Sequence, residues 1–477
     1  MTLPAHAARA TPLLLALLML SGCAVGPDYR KPEISVPAAF KEAQGWKLAQ
    51  PQDEALRGKW WELYGDMQLN ALVEQVTVSN QNVHIAEAQY RQALAVLAGS
   101  RAAYFPTLSG SASVSRGQSG GATIATPNDR VALNASWEAD VWGSIRRSVE
   151  SSTASAQASA ADLQAALLSI HATLVQTYLQ LRINDAQYRL LDQTVAAYER
   201  TLQLTRNRYE AGVVSRLDVA EAETQLQSTQ AQAIDLGEQR GQLEHAIALL
   251  VGKAPADFTL APTYVLPELP SVPGDLPSTL LERRPDVAAA ERRAAAANAQ
   301  IGVAQAAFFP TLTLGASGGF QSSSLSQLFS LPNRFWSLGP SLAMTLFDGG
   351  AHSAQKEQAI AIYDQNVATY RQTVLTAFQN VEDSLVSLRV LAQEETVQRE
   401  AARSAKESVS LTNDQYQAGT VSYLNVVTAQ VAALSADLGS LNIAGRRLLA
   451  STALLKALGG DWRPSSQVTY HRDQSER

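Results

Sequence analysis

Two carboxylates two residues apart, Glu138 and Asp140, are a candidate pair for acid–base work. They alternate with apolar neighbours on a strand-like stretch, so a polar wall is a better reading than a catalytic dyad. His84, His171, His245 and His352 stand singly along helical stretches and match no metal-ligand spacing. There is no phosphate-binding glycine loop and no nucleophile elbow. An enzyme reading therefore has no motif to stand on, and no metal or cofactor has a ligand set. A formal charge of −6 without a basic patch offers nucleic acid no surface.

One residue has chemical context. Cys23, the single cysteine of the 477 residues, follows Leu20-Ser21-Gly22 and the apolar run Leu13 to Leu20. That run is too short to span a bilayer and reads as a signal-peptide core, preceded by Arg9. Leu20-Ser21-Gly22-Cys23 resembles a bacterial lipobox, which makes Cys23 the lipidated first residue of the mature chain. The alternative is an ordinary leader with a chance cysteine. Position 24 is Ala rather than the Asp of an inner-membrane retention signal, which favours the outer membrane. A covalent lipid on Cys23 is then the one non-protein group expected. With no second cysteine there is no disulfide framework.

The elements that must carry these residues are long. Leu163, Leu167, Ile170, Leu174, Thr177, Leu181, Asn184, Tyr188, Leu191, Val195, Tyr198 and Leu202 alternate steps of four and three. That is a coiled-coil seam. It predicts one helix from about Ile145 to Glu210, roughly 100 Å long at about 1.5 Å per residue. A helix from about Leu69 to Arg101 precedes it. Between them the period falls to two. Leu108, Gly110, Ala112 and Val114 alternate with serines, and Val131, Leu133, Ala135, Trp137, Ala139 and Val141 alternate with Asn134, Ser136, Glu138 and Asp140. The long helix stops at Ala211-Gly212-Val213-Val214-Ser215 and returns to about Val251, with Ser215 and Asp218 placed to cap the return. No segment after the leader reads as a transmembrane helix.

The programme then repeats. Ala307-Phe308-Phe309-Pro310-Thr311-Leu312 matches Ala103-Tyr104-Phe105-Pro106-Thr107-Leu108, and Tyr416-Gln417-Ala418-Gly419 matches Tyr209-Glu210-Ala211-Gly212. The organisation expected is a leader 1–22, a lipidated extended arm 23–66, a first repeat 67–253, a Pro-rich linker 254–274, a second repeat 275–460 and a polar tail 461–477. The second repeat brings a helix from about Leu276 to Gln305, strands from Thr311 and to Leu346, and a long helix to Tyr416.

Four strands with one greasy and one polar face have the length and alternation of a transmembrane β-barrel. Soluble hairpins over a core are the competing reading. Four strands cannot close, since about eight is the minimum, so copies of the chain must complete the wall. Asn134, Glu138 and Asp140 would line its lumen. Tyr104, Phe105, Trp142, Phe308, Phe309 and Phe347 sit where strands meet helices, as in an interfacial girdle.

Together these features resemble the TolC family of outer-membrane efflux channels, and within it the OprM/NodT-type lipoproteins of resistance-nodulation-division pumps. The carriers are Cys23-Ala24-Val25-Gly26-Pro27-Asp28-Tyr29, both Phe-Pro-Thr-Leu segments, Leu281-Glu282-Arg283-Arg284-Pro285-Asp286-Val287, Phe347-Asp348-Gly349-Gly350 and both Tyr-x-Ala-Gly turns. The resemblance implies a mixed α+β membrane protein and a homotrimer with a twelve-strand barrel in outer-membrane lipid. It also implies a periplasmic α-barrel of coiled-coil helices, a periplasmic adaptor docked on the hairpin tips, and an inner-membrane pump. By position, Gly212, Ser215, Leu217, Gly419, Ser422 and Leu424 are the docking tips, although Leu217 and Leu424 could equally pack inside their hairpins. Tyr416, Asn425, Thr428 and Asp218 occupy the gate region. Asn425 and Thr428 are neutral where the family carries acidic residues, Asp218 has helix capping as a rival role, and Tyr416 has core packing. The function implied is a passive exit duct for small toxic compounds. Type I protein secretion, metal efflux and a periplasmic coiled-coil scaffold are the alternatives.

Overall fold

The computed structural model describes residues 24–33, 58–118, 125–270 and 284–460. Cys23, the leader, residues 271–274 of the linker and the tail from 461 lie outside the described residues. A 3₁₀ turn, Trp60–Tyr64, precedes the long elements. Then follow α1 (Met67–Ser79), α2 (Gln81–Ala102), β1 (Thr107–Gly117), β2 (Thr126–Ala139), α3 (Ser144–Glu210) and α4 (Arg216–Leu250). The second series is α5 (Pro285–Ala306), β3 (Thr311–Ser322), β4 (Arg334–Ala343), α6 (Ala351–Gln417) and α7 (Tyr423–Ala457).

Helix lengths repeat to the residue. α2 and α5 have 22 residues each, α3 and α6 have 67, and α4 and α7 have 35. The compact units cut across this repeat. Residues 24–33, 88–160 and 289–372 belong to a strand unit, and the other described residues to a hairpin unit.

In the strand unit the sheet is antiparallel in the order β1-β2-β3-β4. The N-terminal arm is fastened to the helix ends of this unit. Val25 N donates to Trp142 O at 3.0 Å, Arg147 pairs with Asp28 at 2.7 Å, and the Tyr29 hydroxyl donates to Glu291 at 2.6 Å. Gly26, at φ 101°, lies so close to Gly302 that a Cβ would come within 2.4 Å of its Cα. Only glycine fits there.

In the hairpin unit the single helix expected from Leu69 to Arg101 is two helices. Asn80 is extended (φ −72°, ψ 125°) and ends α1. Its side-chain oxygen accepts from Asn82 N and Val83 N at 2.9 and 3.2 Å, capping α2, while its amide donates to Leu250 O at 2.7 Å. The apolar spacing runs through this break unchanged, which is why periodicity does not register it. The helix expected from Leu276 starts, among the described residues, at Pro285, a first-turn position that suits proline. Residues 60–64 are core rather than arm, since Trp60, Trp61 and Tyr64 are all buried.

A buried polar cluster straps the linker to α3 and α4. Arg182, fully buried, donates to Asp185 (3.1 Å), Gln68 (2.5 Å) and Ala261 O (3.3 Å), and Arg240 donates to Asp185 (2.8 Å) and Leu260 O (2.6 Å). Buried charges persist where each is paired in this way. By composition alone, α3 and α7 each hold an 18-residue window apolar enough to cross a bilayer, mean hydropathy 1.2. In the hairpin unit α3 instead buries Leu174, Tyr178 and Leu181 against other helices, next to the paired Arg182.

Candidate functional site: a two-faced wall and two hairpin tips

The strand register sorts side chains into continuous rows. Leu108 faces Ala135, Ala135 faces Ala316, and Ala316 faces Leu338. One residue along, Ser109, Asn134, Ser317 and Ser337 form a polar row on the opposite face. A slip of one residue in any pair would mix the faces, so the alternation itself fixes the register. On the apolar face Leu108, Leu133, Trp336, Leu338 and Leu342 are all at least 60% exposed. No soluble core covers them within the described residues. Both outer strands, β1 and β4, keep one edge unpaired by the sheet.

Asn134 and Glu138 lie on the polar face, where Asn134 donates to Ser111 at 3.2 Å and Glu138 stands opposite Thr313. Asp140 does not. β2 ends at Ala139, and the Asp140 carboxylate accepts from Ile145 N (3.0 Å), Arg146 N (2.9 Å) and the Arg146 guanidinium (3.2 Å). It caps α3, because a chain leaving a strand for a helix must satisfy the helix's first N–H groups. β4 likewise ends early, at Ala343, short of the expected Leu346. The junction aromatics hold this end together: Trp142 stacks on Phe309 (4.7 Å) and donates to Pro310 O (2.8 Å), and Trp137 donates to Tyr104 O (2.9 Å).

At the hairpin tips the two turns share a backbone. Gly212 and Gly419 have φ 73° and 74°, and the bonds Gly212 N to Tyr209 O (2.9 Å) and Gly419 N to Tyr416 O (3.1 Å) correspond. Ser215 and Asp218 form a full capping box, Asp218 N donating to Ser215 Oγ (3.3 Å) and Ser215 N to Asp218 (2.9 Å). Ser422 makes no such bond to the helix backbone. Its Oγ instead accepts from the Asn425 amide at 3.1 Å, and Thr428 donates to Leu424 O at 2.8 Å. Leu217 and Leu424 are 64% and 56% exposed, so neither packs inside its hairpin.

Tyr416 does pack. It joins Tyr423, Val426, Leu202, Val219 and Ala222 in one buried cluster that ties α3 and α4 to α6 and α7. Its hydroxyl is buried with no partner among the described residues. Arg208, which sequence reasoning passed over, lies with its guanidinium 4.8 Å from the Tyr416 ring, a cation–π contact between the hairpins. Burial raises the Tyr416 pKa, with Arg208 pulling the other way, and pushes Tyr423 up to about 12. Both phenols stay protonated at neutral pH.

An exposed apolar band, a polar row behind it and long paired helices ending in matched turns are the parts of a membrane conduit. The family model of outer membrane efflux proteins matches residues 72–253 and 276–460, one block per repeat. The chain belongs to the outer membrane efflux protein family. It is 33% identical over 458 residues to the solvent efflux pump outer membrane protein SrpC of Pseudomonas putida, covering 94% of this chain and 97% of that one. It is 30% identical over 473 residues to the pyoverdine export outer membrane protein OpmQ of Pseudomonas aeruginosa, covering 97% and 98%. The solved outer-membrane channel OprN superposes with a TM-score of 0.82 at 31% identity, over 93% of this chain and all of that one. As a TolC-like efflux protein, the chain combines membrane strands with long channel helices and serves as an outer-membrane exit duct.

Proposed function

We propose that three copies of this chain close a twelve-strand barrel and that the duct conducts passively, with specificity and energy supplied by a pump. The observation that carries this is the sheet. Its apolar row is in register across all four strands, with Leu108 and Leu338 exposed on the outer two, while both edges remain open. In lipid an unpaired edge costs several kcal/mol per group, so further strands must pair with β1 and β4. Two copies would fill their interior with side chains, whereas three leave room for a lumen lined by Asn134, Glu138 and the serines of β1.

Under this reading Cys23 carries the lipid, and the arm at Val25 and Asp28 holds that anchor beside Trp142 at the strand–helix junction. The exposed Leu217 and Leu424 offer a periplasmic adaptor of a resistance-nodulation-division pump two apolar contacts per chain. Asp218, Tyr416, Asn425 and Thr428 form the periplasmic gate, with Asn425 and Thr428 making a polar, uncharged constriction. Detergent-extracted mature protein is expected to run as a heat-modifiable trimer and to give discrete conductance steps in planar bilayers. A monomer freely soluble without detergent would overturn the reading. Cys23→Ser is expected to lose palmitate labelling and to weaken anchoring while still allowing assembly.

A further inference from the structure

At the end of the sheet remote from the helices, residues 323–333 join β3 to β4. The connection makes two 3₁₀ turns, Leu325–Gln327 and Leu331–Asn333, and its hydrogen bonds close within it. Leu328 N donates to Leu325 O (3.3 Å), Ser330 N to Gln327 O (3.0 Å) and Asn333 N to Ser330 O (3.0 Å), while the Asn333 amide donates to Gln327 O at 2.7 Å. No residue from Gln321 to Asn333 is charged. Leu325, Phe329 and Leu331 are each at least 65% exposed, and of the large apolar side chains in the connection only Leu328 is buried. A cluster of this kind on an uncharged turn marks a surface that meets something other than water.

Phe329 fixes where that surface lies. Its ring meets Phe320 edge to face with centroids 5.6 Å apart, and the second turn lies against β3. Phe320 continues the apolar alternation Leu314, Ala316, Gly318 of β3. The connection therefore folds back over the apolar face of the sheet. β3 is an inner strand, hydrogen-bonded to β2 on one side and β4 on the other. A copy of the chain that closes the wall pairs with the far edge of β4, about 10 Å from β3 at the usual strand spacing, and extends the sheet sideways. It leaves the face itself uncovered. Arg334 stands opposite Phe320 in the register and Arg116 continues the apolar alternation of β1, so both share this face, and both are exposed. Asp129, opposite Ser322 at the same end of the face, is buried. The exposed charge beside the apolar cluster is therefore positive.

We propose that the β3–β4 connection seats in the lipid leaflet remote from the helices, a step that rests on the reading of this face as the lipid face. Leu325, Phe329 and Leu331 enter the upper part of the acyl layer, and Arg334 and Arg116 meet anionic headgroup phosphates. Apolar side chains flanked by basic ones are the composition of an interfacial anchor, which sinks about 5–10 Å into the headgroup–acyl boundary. Arginine can lie along apolar surface while its guanidinium reaches a polar layer, and its fork of N–H groups matches phosphate oxygens. Backbone bonds closed within the turns suit a segment at that boundary, where water is scarce. The connection then sets the depth of the wall at its outer rim.

The test is fluorescence quenching by lipid. Leu331→Cys, Leu338→Cys and Ser337→Cys, each in the full chain with Cys23→Ser, are labelled with bimane and reconstituted into vesicles of phosphatidylcholine and phosphatidylglycerol. Lipids spin-labelled near the headgroup or near the chain end, and aqueous iodide, are the quenchers. The headgroup-proximal lipid is expected to quench the Leu331 label at least about threefold more strongly than the Ser337 label, as for an element at the headgroup–acyl boundary. The chain-end lipid is expected to act most strongly on the Leu338 label, in the middle of β4. Phe329→Asp, which puts a charge into the seat, is expected to bring the Leu331 label down to the Ser337 level and to leave the Leu338 label unchanged. Lipid quenching at Leu338 with none at Leu331 would overturn the proposal and leave the wall standing. Iodide reaching Leu331 would then mean a connection in water, and iodide excluded from it one covered by a neighbouring copy. Lipid quenching at neither position would overturn the reading of the face itself, and a Leu331 label indifferent to Phe329→Asp would overturn the seat. The comparison of the three labels stands even if Phe329→Asp fails to fold.

Discussion

The two hairpin tips have the same backbone and different chemistry. Helix lengths, the left-handed glycine and the turn hydrogen bonds agree between them. Yet Arg206, Arg208, Glu210, Arg216, Asp218, Glu221 and Glu223 of the first tip stand where the second has Asn413, Gln415, Gln417, Tyr423, Asn425, Thr428 and Gln430. The first tip fastens itself with ions, Arg206 to Glu223 at 2.8 Å and Arg216 to Glu223 at 3.5 Å, and keeps Tyr209 44% exposed. The second gives up charge and inserts Tyr416 and Tyr423, 5.3 Å apart, into the shared core. Turn geometry needs the glycine and little else. Side chains around it were therefore free to diverge, one tip towards an ionic surface and the other towards an apolar wedge.

The largest effect that would break this contrast is at the tyrosines. Tyr416→Ala should destabilise by about 3 kcal/mol, as for other buried aromatics, and Tyr209→Ala by less than about 1 kcal/mol, read by thermal unfolding. Equal losses would mean that the second tip is no wedge. Tyr416→Phe should be close to neutral, since the hydroxyl has no partner to lose among the described residues. At the turns themselves the prediction is sameness. No atom would lie within 4 Å of a Cβ at Gly212 or Gly419, so alanine at either should cost the same about 1–2 kcal/mol of left-handed strain. Unequal costs would show that the turns differ after all.

Ser215→Ala should cost about 1 kcal/mol through the lost capping box, and Ser422→Ala only a few tenths, by hydrogen exchange of the α4 and α7 first-turn amides. The smallest effect is acid sensitivity. The hydrogen bond from Arg206 holds the Glu223 pKa below its ordinary 4.5, so its contribution is complete above that value and fades as the pH falls through the lower folded pKa. Burial and Asp218 raise Glu221, whose contribution runs the other way. Protection factors at the first tip, taken against the intrinsic exchange rate at each pH, should therefore fall below pH 4.5 by an amount that Arg206→Gln reduces, while Gln430 leaves the second tip without an equivalent response.

Periodicity made the long helices, the four strands and the repeat legible, because each is a pattern many residues long. Single-residue departures were not. Asn80 breaks a helix without interrupting the apolar spacing, and only its type, a good N-cap residue, hints at the break. Asp140 continues the strand alternation by one step and yet serves the next helix. His171 looks like another lone helical histidine until folding brings Trp61 and Thr77 to it. Arg208 is one of many surface arginines until α6 places Tyr416 beneath it. In each case the partner is far away in sequence or on another element, and spacing along one element carries no trace of it.

The most direct test of the central claim, that the open sheet is one part of a closed wall, is cross-linking of its two edges. Cysteines replacing Ser109 on β1 and Ser337 on β4 lie in the same polar row, and a flexible thiol cross-linker can be applied to them in a Cys23→Ser background. Covalent dimers and trimers in detergent, in a ladder that stops at three, are the predicted result. Monomers alone, or a ladder running past three, would contradict it.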